Sequence, residues 1–166
     1  MKFHKPKFWD KNGHISLFSI LLLPLSLIAI VKNYHEKNKI KKNFYDLKTI
    51  CVGNIYIGGT GKTPLSIKIS ELLNSKGIKT TVLKKFYSEQ KDEQLLIKSR
   101  TNLISKKSRK ECSNEAMNKN FKYAIFDDGL QDKSIKYDIK ICCFNSNNWI
   151  GNGCVIPAGP LREKIS

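Results

Sequence analysis

A chain of 166 residues, 40% of them hydrophobic, can bury one core of useful size, and its length excludes a second full domain. With 30 Lys and Arg against 14 Asp and Glu, the formal charge of +16 points to an anionic partner: a phosphorylated substrate, a phospholipid surface or a nucleic acid. Nearly all of that charge is lysine spread over an Asn- and Ile-rich chain, and no aromatic-interleaved basic motif accompanies it, so the reading is no nucleic acid.

From Ile15 to Val31 the residues ISLFSILLLPLSLIAIV carry no charge and are flanked by Lys and His. Seventeen residues make a helix of about 25 Å, short of the roughly 30 Å of a hydrocarbon core, and Pro24 favours a kink. Residues 1–33 therefore read as a membrane-associated helix that lies on or dips into one leaflet, with Phe8 and Trp9 as interfacial anchors. A signal peptide is one alternative, but no A-x-A-like cleavage site follows. A buried core helix is the other, which an all-round apolar surface also suits.

Residues 34–47 form a Lys- and Asn-rich connector, and 48–166 read as one nucleotide-binding domain. Thr49 to Val52 predict a strand, followed by a Gly-rich turn and a helix with Leu65, Ile69, Leu72 and Leu73 as its apolar face, closed by Gly77. A strand over Ile78 to Leu83, a short helix over Asp92 to Lys98, an edge strand over Leu103 to Ser105 and a helix between Lys110 and Asn118 come next. Strands over Tyr123 to Phe126 and Asp138 to Phe144 complete the pattern. Strands alternating with helices predict an α/β fold, a P-loop NTPase-like parallel sheet with flanking helices, its ligands at the carboxyl ends of the strands.

Five cysteines include no metal-spaced C-x-x-C pair, which argues against zinc and against a disulfide framework. Cys51, Cys142 and Cys143 fall in apolar strand-like runs, as buried free thiols of a reducing compartment do. All three histidines precede the Gly-rich turn, so the predicted domain has no His to act as base or ligand.

The sharpest chemical signal is Gly58-Gly59-Thr60-Gly61-Lys62-Thr63 between strand and helix. Glycines there let successive backbone N–H groups turn toward a polyphosphate at the positive end of the helix dipole. Lys62 then reaches the β and γ phosphates of a nucleotide and the Thr63 hydroxyl ligates Mg²⁺. Tyr56 stands where the usual spacing has a glycine. A second signal is Asp127-Asp128 after an apolar strand, carboxylates placed to hold Mg²⁺ directly or through water. A third, Gly151 to Glu163, is dense in Gly and Pro and reads as a shaped loop presenting Arg162.

The P-loop in the form VGNIYIGGTGKTP, then DDGLQ, then GNGCVIPAGPLRE, behind an apolar N-terminal helix and Pro6-Lys-Phe-Trp9, resembles the tetraacyldisaccharide 4′-kinase family of lipid A biosynthesis. The resemblance implies transfer of the γ-phosphate of ATP to the 4′-hydroxyl of an acylated glucosamine disaccharide 1-phosphate, with Mg²⁺, at the cytoplasmic face of the bacterial inner membrane, by a peripheral or monotopic protein. It assigns Gly58 to Thr63 to the nucleotide and Thr63, Asp127, Asp128 and Glu93 to the metal side. Arg162 falls to phosphate contact, and Asp92 to activating the acceptor hydroxyl. The family's Ser-Arg-Gly-Tyr stands here as Lys84-Lys-Phe-Tyr87, and its His after Gln131 as Asp132. Family members continue for about as long again, adding a second lobe and a His that supports the catalytic Asp. That lobe's absence leaves two further readings: a partner half encoded separately, or a truncated, catalytically inactive nucleotide-binding remnant.

Overall fold

The computed structural model describes residues 5–11, 13–37 and 46–165. The middle of the expected connector, residues 38–45, lies outside the described residues. Two compact units make up the chain, one of residues 1–39, 54–60 and 144–166, the other of residues 40–53 and 61–143.

The first unit carries a 3₁₀ turn at Lys7–Asp10 and helix α1 at Leu17–Lys37, which runs past the apolar segment into the stretch read as connector. Its 21 residues span about 31 Å. The helix is long and apolar enough to cross a membrane, with a mean hydropathy of 1.8 over Leu17–Glu36 and 11% of its apolar window buried, so it is not a core helix among the described residues. Its most buried residues are Ser19 and Ser26, with Ala29 and Ile30 packed against Tyr56, Val155 and Leu161. Ser26 Oγ donates to the Val155 carbonyl at 2.8 Å and accepts from the Ala158 amide, and the Ser19 hydroxyl accepts from Asn152 Nδ2 at 3.0 Å. Leu17, Phe18, Leu21, Leu25, Leu27, Ile28 and Val31 are exposed.

Trp9 is not an interfacial anchor. It is 2% exposed, its indole donates to the Pro157 carbonyl at 3.1 Å, and its own carbonyl accepts from Asn152 N at 2.9 Å. The Gly/Pro loop explains why. Gly151 has φ +60, and a Cβ there would sit 2.3 Å from the Trp9 carbonyl oxygen. At Gly159 a Cβ would lie 2.1 Å from Asn152 Oδ1, so the loop winds around that side chain and only glycine fits.

The second unit is a five-stranded, fully parallel sheet. Strands β1 (Lys48–Gly53), β2 (Thr80–Lys85), β3 (Leu103–Lys106), β4 (Tyr123–Asp127) and β5 (Ile139–Cys142) lie in the order β3-β2-β4-β1-β5. Alternate strand residues face opposite ways. Ile50, Val52, Val82 and Ile125 pack with Ile67 of helix α2 (Lys62–Ser75) and Ile97 of α3 (Lys91–Arg100). Cys51, Leu83, Ile104 and Phe126 pack on the other face with Cys112 and Ala116 of α4 (Arg109–Asn118). A sheet covered on both faces matches the predicted class.

Two local readings change. On α2, Leu65, Ile69 and Leu73 pack partly buried against the core as expected while Leu72 is exposed, and the fully buried residues are Thr63, Ser66, Ile67 and Ser70, because hydroxyl groups that find partners bury readily. Ser70 Oγ, for instance, lies 2.9 Å from Thr80 Oγ1. Cys142 is exposed rather than buried, since β5 is an edge strand with most of its residues open to solvent. At the far end of α2, Gly77 has φ +76, and the Gly77 and Ile78 amides return to the Asn74 and Leu73 carbonyls, the closure glycine provides after a helix.

Candidate functional site

The carboxyl ends of β2 and β4 and the start of α2 meet within the sheet unit. Gly61, the N-cap of α2, has φ +74 and, being glycine, offers no side chain to cap the first amides. Pro64 occupies the first turn, where a missing N–H costs nothing. The second helical residue, Thr63, donates its hydroxyl to Asp127 Oδ2 at 3.0 Å, and one turn later Ser66 donates to Asp127 Oδ1 at 3.2 Å. Asp127 is 1% exposed, held there because its strand β4 runs beside β1.

Lys84, near the end of β2, points its ammonium into the same place. Nζ lies 2.6 Å from Asp127 Oδ2 and 2.6 Å from Glu93 Oε2 on α3. Burial pushes the Lys84 ammonium toward deprotonation, but the charge and hydrogen bond of Asp127, aided by Glu93, outweigh it and hold its pKa above the ordinary lysine value.

Beyond Asp127 the chain turns at Asp128, which has φ +58 and donates its amide to the Val52 carbonyl at 2.8 Å. Asp128 Oδ1 is 3.7 Å from Lys62 Nζ. Arg109, the first residue of α4, donates to the Asp128 carbonyl and pairs with Asp132 at 3.3 Å. At Gly129 a Cβ would meet Cys51 Sγ at 2.9 Å and Tyr137 Oη at 3.0 Å, so the turn lies flat against β1 only as glycine.

Of the residues expected at the metal and phosphate side, Asp127 and Glu93 thus meet at Lys84, Thr63 meets Asp127, and Lys62 pairs with Asp128. Asp92 lies in the first turn of α3, exposed to solvent. The N-cap of that helix is Gln90, so Asp92 is not its cap. Gly58, Gly59, Thr60 and Arg162 belong to the other unit. There Asn54 Nδ2 donates to the Tyr56 and Gly58 carbonyls, Gly58 has φ +137, and the Arg162 amide donates to the Ile55 carbonyl at 2.6 Å. Tyr56, in the place of the usual glycine, is a core residue whose hydroxyl bonds Asp10 and accepts from Lys5 Nζ at 2.7 Å. An open pocket of about 290 Å³ is lined by Lys5, Tyr56, Gly58, Gly59, Asn145 and Asn148.

The donor set suits Mg²⁺. No cluster of three His, Cys, Asp or Glu side chains exists among the described residues, which rules against a cage built from such side chains there. Mg²⁺ needs less from the protein, because it keeps waters and takes one or two carboxylates plus phosphate oxygens. A buried carboxylate 3.0 Å from a threonine hydroxyl at a helix start supplies hard oxygen donors of that kind.

Comparison with known proteins agrees with this geometry. The family model described as Tetraacyldisaccharide-1-P 4'-kinase matches residues 18–166. The chain belongs to that kinase family. It is 53% identical to the tetraacyldisaccharide 4'-kinase of Pelagibacter ubique, over all of this chain and 52% of that protein. With the kinase of the same name from Rickettsia felis it shares 31% identity over 95% of its length and 53% of the relative's. Among solved structures, LpxK from Aquifex aeolicus, described as an "apo" form in complex with ATP, superposes with a TM-score of 0.72 at 22% identity, over 89% of this chain and 55% of that one. The likeness shows the fold. The chain spans about half the length of the tetraacyldisaccharide 4'-kinases it matches.

Reading the kinase family's motifs from sequence reached Thr63, Asp127 and Asp128 but missed three side chains that meet the two acids, Lys84 and Ser66 on the Asp127 carboxylate and Arg109 on the Asp128 carbonyl. Lys84 registered only as a departure from the family pattern, although a lysine closing an apolar strand is itself a sign of a buried ionic partner. Ser66 and Arg109 carried no motif.

Proposed function

We propose that this chain is the nucleotide-binding part of an ATP-dependent kinase that phosphorylates the 4′-hydroxyl of a tetraacyldisaccharide 1-phosphate in lipid A biosynthesis. The observation that carries the reading is the Thr63 hydroxyl on the buried Asp127 carboxylate at the start of α2, in a chain of this family. Helix α2 directs its free first-turn amides and dipole at the polyphosphate, and Lys62 neutralises the β and γ oxygens. Thr63 and Asp127 would hold Mg²⁺, with Asp128 and Glu93 beside them, and the ion supplies charge neutralisation on the transferring group. Gly58, Gly59, Thr60 and Gly61 wrap the phosphates, and Arg162 contacts them. Asp92, beside Glu93 in the first turn of α3 and apart from the two carboxylates of the β4 terminus, accepts the proton of the attacking hydroxyl.

The substrate's acyl chains and the outward leucines and isoleucines of α1 belong to the same membrane surface, on the cytoplasmic side where ATP is found. The remaining half of the cleft comes from the length that relatives have beyond this chain, in the same polypeptide or a separate one. Saturable binding of a fluorescent ATP analogue, lost in Lys62→Ala, is the expected result. No binding under any condition overturns the reading. The alternative, an inactive nucleotide-binding remnant, is favoured by Lys84-Lys-Phe-Tyr87 standing where the family's Ser-Arg-Gly-Tyr is expected. It predicts nucleotide binding without turnover even when the missing half is supplied.

A further inference from the structure

Lys84 has a charge relationship that the roles above do not use. Its side chain is 4% exposed, and its ammonium is shared between Asp127, which is fully buried, and Glu93, which is half exposed. Around the Asp127 carboxylate stand two hydroxyls and this one cation: Thr63 and Lys84 on Oδ2, Ser66 on Oδ1. Hydroxyls satisfy lone pairs but do not cancel charge, and a buried carboxylate without a counter-ion is strongly unfavourable.

In a P-loop site whose metal-side carboxylate has no lysine, that carboxylate faces the triphosphate as one more negative charge until Mg²⁺ arrives. Here the counter-charge is built into β2. We infer that Lys84 takes over part of the neutralising work of Mg²⁺, so that the chain binds nucleoside triphosphate with little dependence on divalent cation. The inference rests on the nucleotide-binding reading above. Two effects act together. With Asp127 already neutralised, Lys62 and the helix amides attract the phosphates without an opposing charge behind them. A fixed cation 2.6 Å from Oδ2 also repels an arriving dication, so Mg²⁺ adds less than usual.

Binding of a fluorescent, non-hydrolysable ATP analogue by the 166-residue chain, titrated in excess Mg²⁺ and in EDTA, tests this. The expected affinities differ by no more than about threefold in the parent and by about tenfold or more in Lys84→Gln, which removes the charge but keeps a hydrogen-bonding end. Lys84→Arg retains the charge and the weak Mg²⁺ dependence. Should Lys84→Gln not fold cooperatively, the parent ratio and the Arg variant still decide. A parent that binds at least about tenfold tighter with Mg²⁺, or a Gln variant with an unchanged ratio, overturns the role of Lys84 while leaving nucleotide binding intact. Absence of saturable binding in both buffers overturns nucleotide binding itself, and this inference with it.

Discussion

Lys62 Nζ stands 3.7 Å from Asp128 Oδ1, so the P-loop lysine is pre-aimed by the second acid of the β4 terminus rather than left to solvent. Both groups are partly exposed, and such a pair contributes about 0–1 kcal/mol to folding. Lys62→Ala is therefore expected to keep the unfolding midpoint within a few degrees of the parent while lowering nucleotide affinity by about 100-fold or more. Calorimetric titration beside a thermal melt separates the two effects; equal affinity in mutant and parent would show that Lys62 does not touch phosphate.

Asp127 and Asp128 are adjacent in sequence and opposite in energetic weight. Asp127→Ala leaves the buried Lys84 ammonium with the half-exposed Glu93 as its remaining ion-pair partner and is expected to cost about 3–5 kcal/mol. Asp128→Asn keeps a residue that tolerates positive φ and is expected to cost under about 1 kcal/mol. Urea unfolding of both variants measures the difference, and a mild Asp127→Ala would mean that Glu93 alone suffices to hold Lys84.

Asp138 ties the start of β5 to β1. Its Oδ2 accepts from the Thr49 amide at 2.7 Å and the Thr49 hydroxyl at 2.8 Å. Partial burial pushes the carboxyl up, and the two Thr49 bonds outweigh it, leaving the pKa below the ordinary carboxylate value. Because the folded value is the lower one, the stabilisation is full above the unfolded value of about 3.9 and is lost as pH falls through the folded value. Asp138→Asn is expected to flatten the acid limb of the stability profile below about pH 4, read by denaturant midpoints across pH. An unchanged acid limb would count against the assignment.

Asp92 in a protein completed with the family's remaining length is expected to be chemically critical and structurally idle. It is exposed and does not cap α3, so Asp92→Asn leaves stability and ATP affinity near the parent values. Loss of a general base lowers kcat by about 100-fold or more. Near-normal kcat in the mutant would move the search for the base elsewhere.

Membrane attachment is best tested on the outer face of α1. Removing the helix would orphan the Val155 and Arg162 carbonyls, which accept from Ser26 and Asn33. Leu21 and Ile28, each 68% exposed, can instead be changed to Glu. The double variant is expected to stay folded and lose binding to vesicles carrying anionic lipid, measured by sedimentation. Retained vesicle binding would remove the helix from the membrane proposal.

Alternation of apolar runs with helical spacing made the sheet legible, because β1, β2 and β4 are flanked by partners on both sides and read as continuous apolar stretches. Phosphate chemistry was legible for the same reason that it is local: Gly61, Lys62 and Thr63 follow one another in the chain. Residues whose role depends on a distant partner were not. Trp9 lies next to an apolar helix in sequence but packs against residues 151–157, and the inward serines of α1 are invisible to a hydropathy scan that counts only the leucines beside them. Lys84 meets Glu93 and Asp127 only when β2, α3 and β4 assemble.

The strand order carries a cost in time. Ile50 pairs with Ile125 on one side and Ile139 on the other, so β1 is synthesised first and flanked on both sides last. At about 5–20 residues per second, β1 waits on the order of ten seconds on the ribosome before both neighbours exist. Until β4 emerges its apolar Ile50, Cys51 and Val52 have no strand partner, and the all-parallel pairing admits no early hairpin to shelter them.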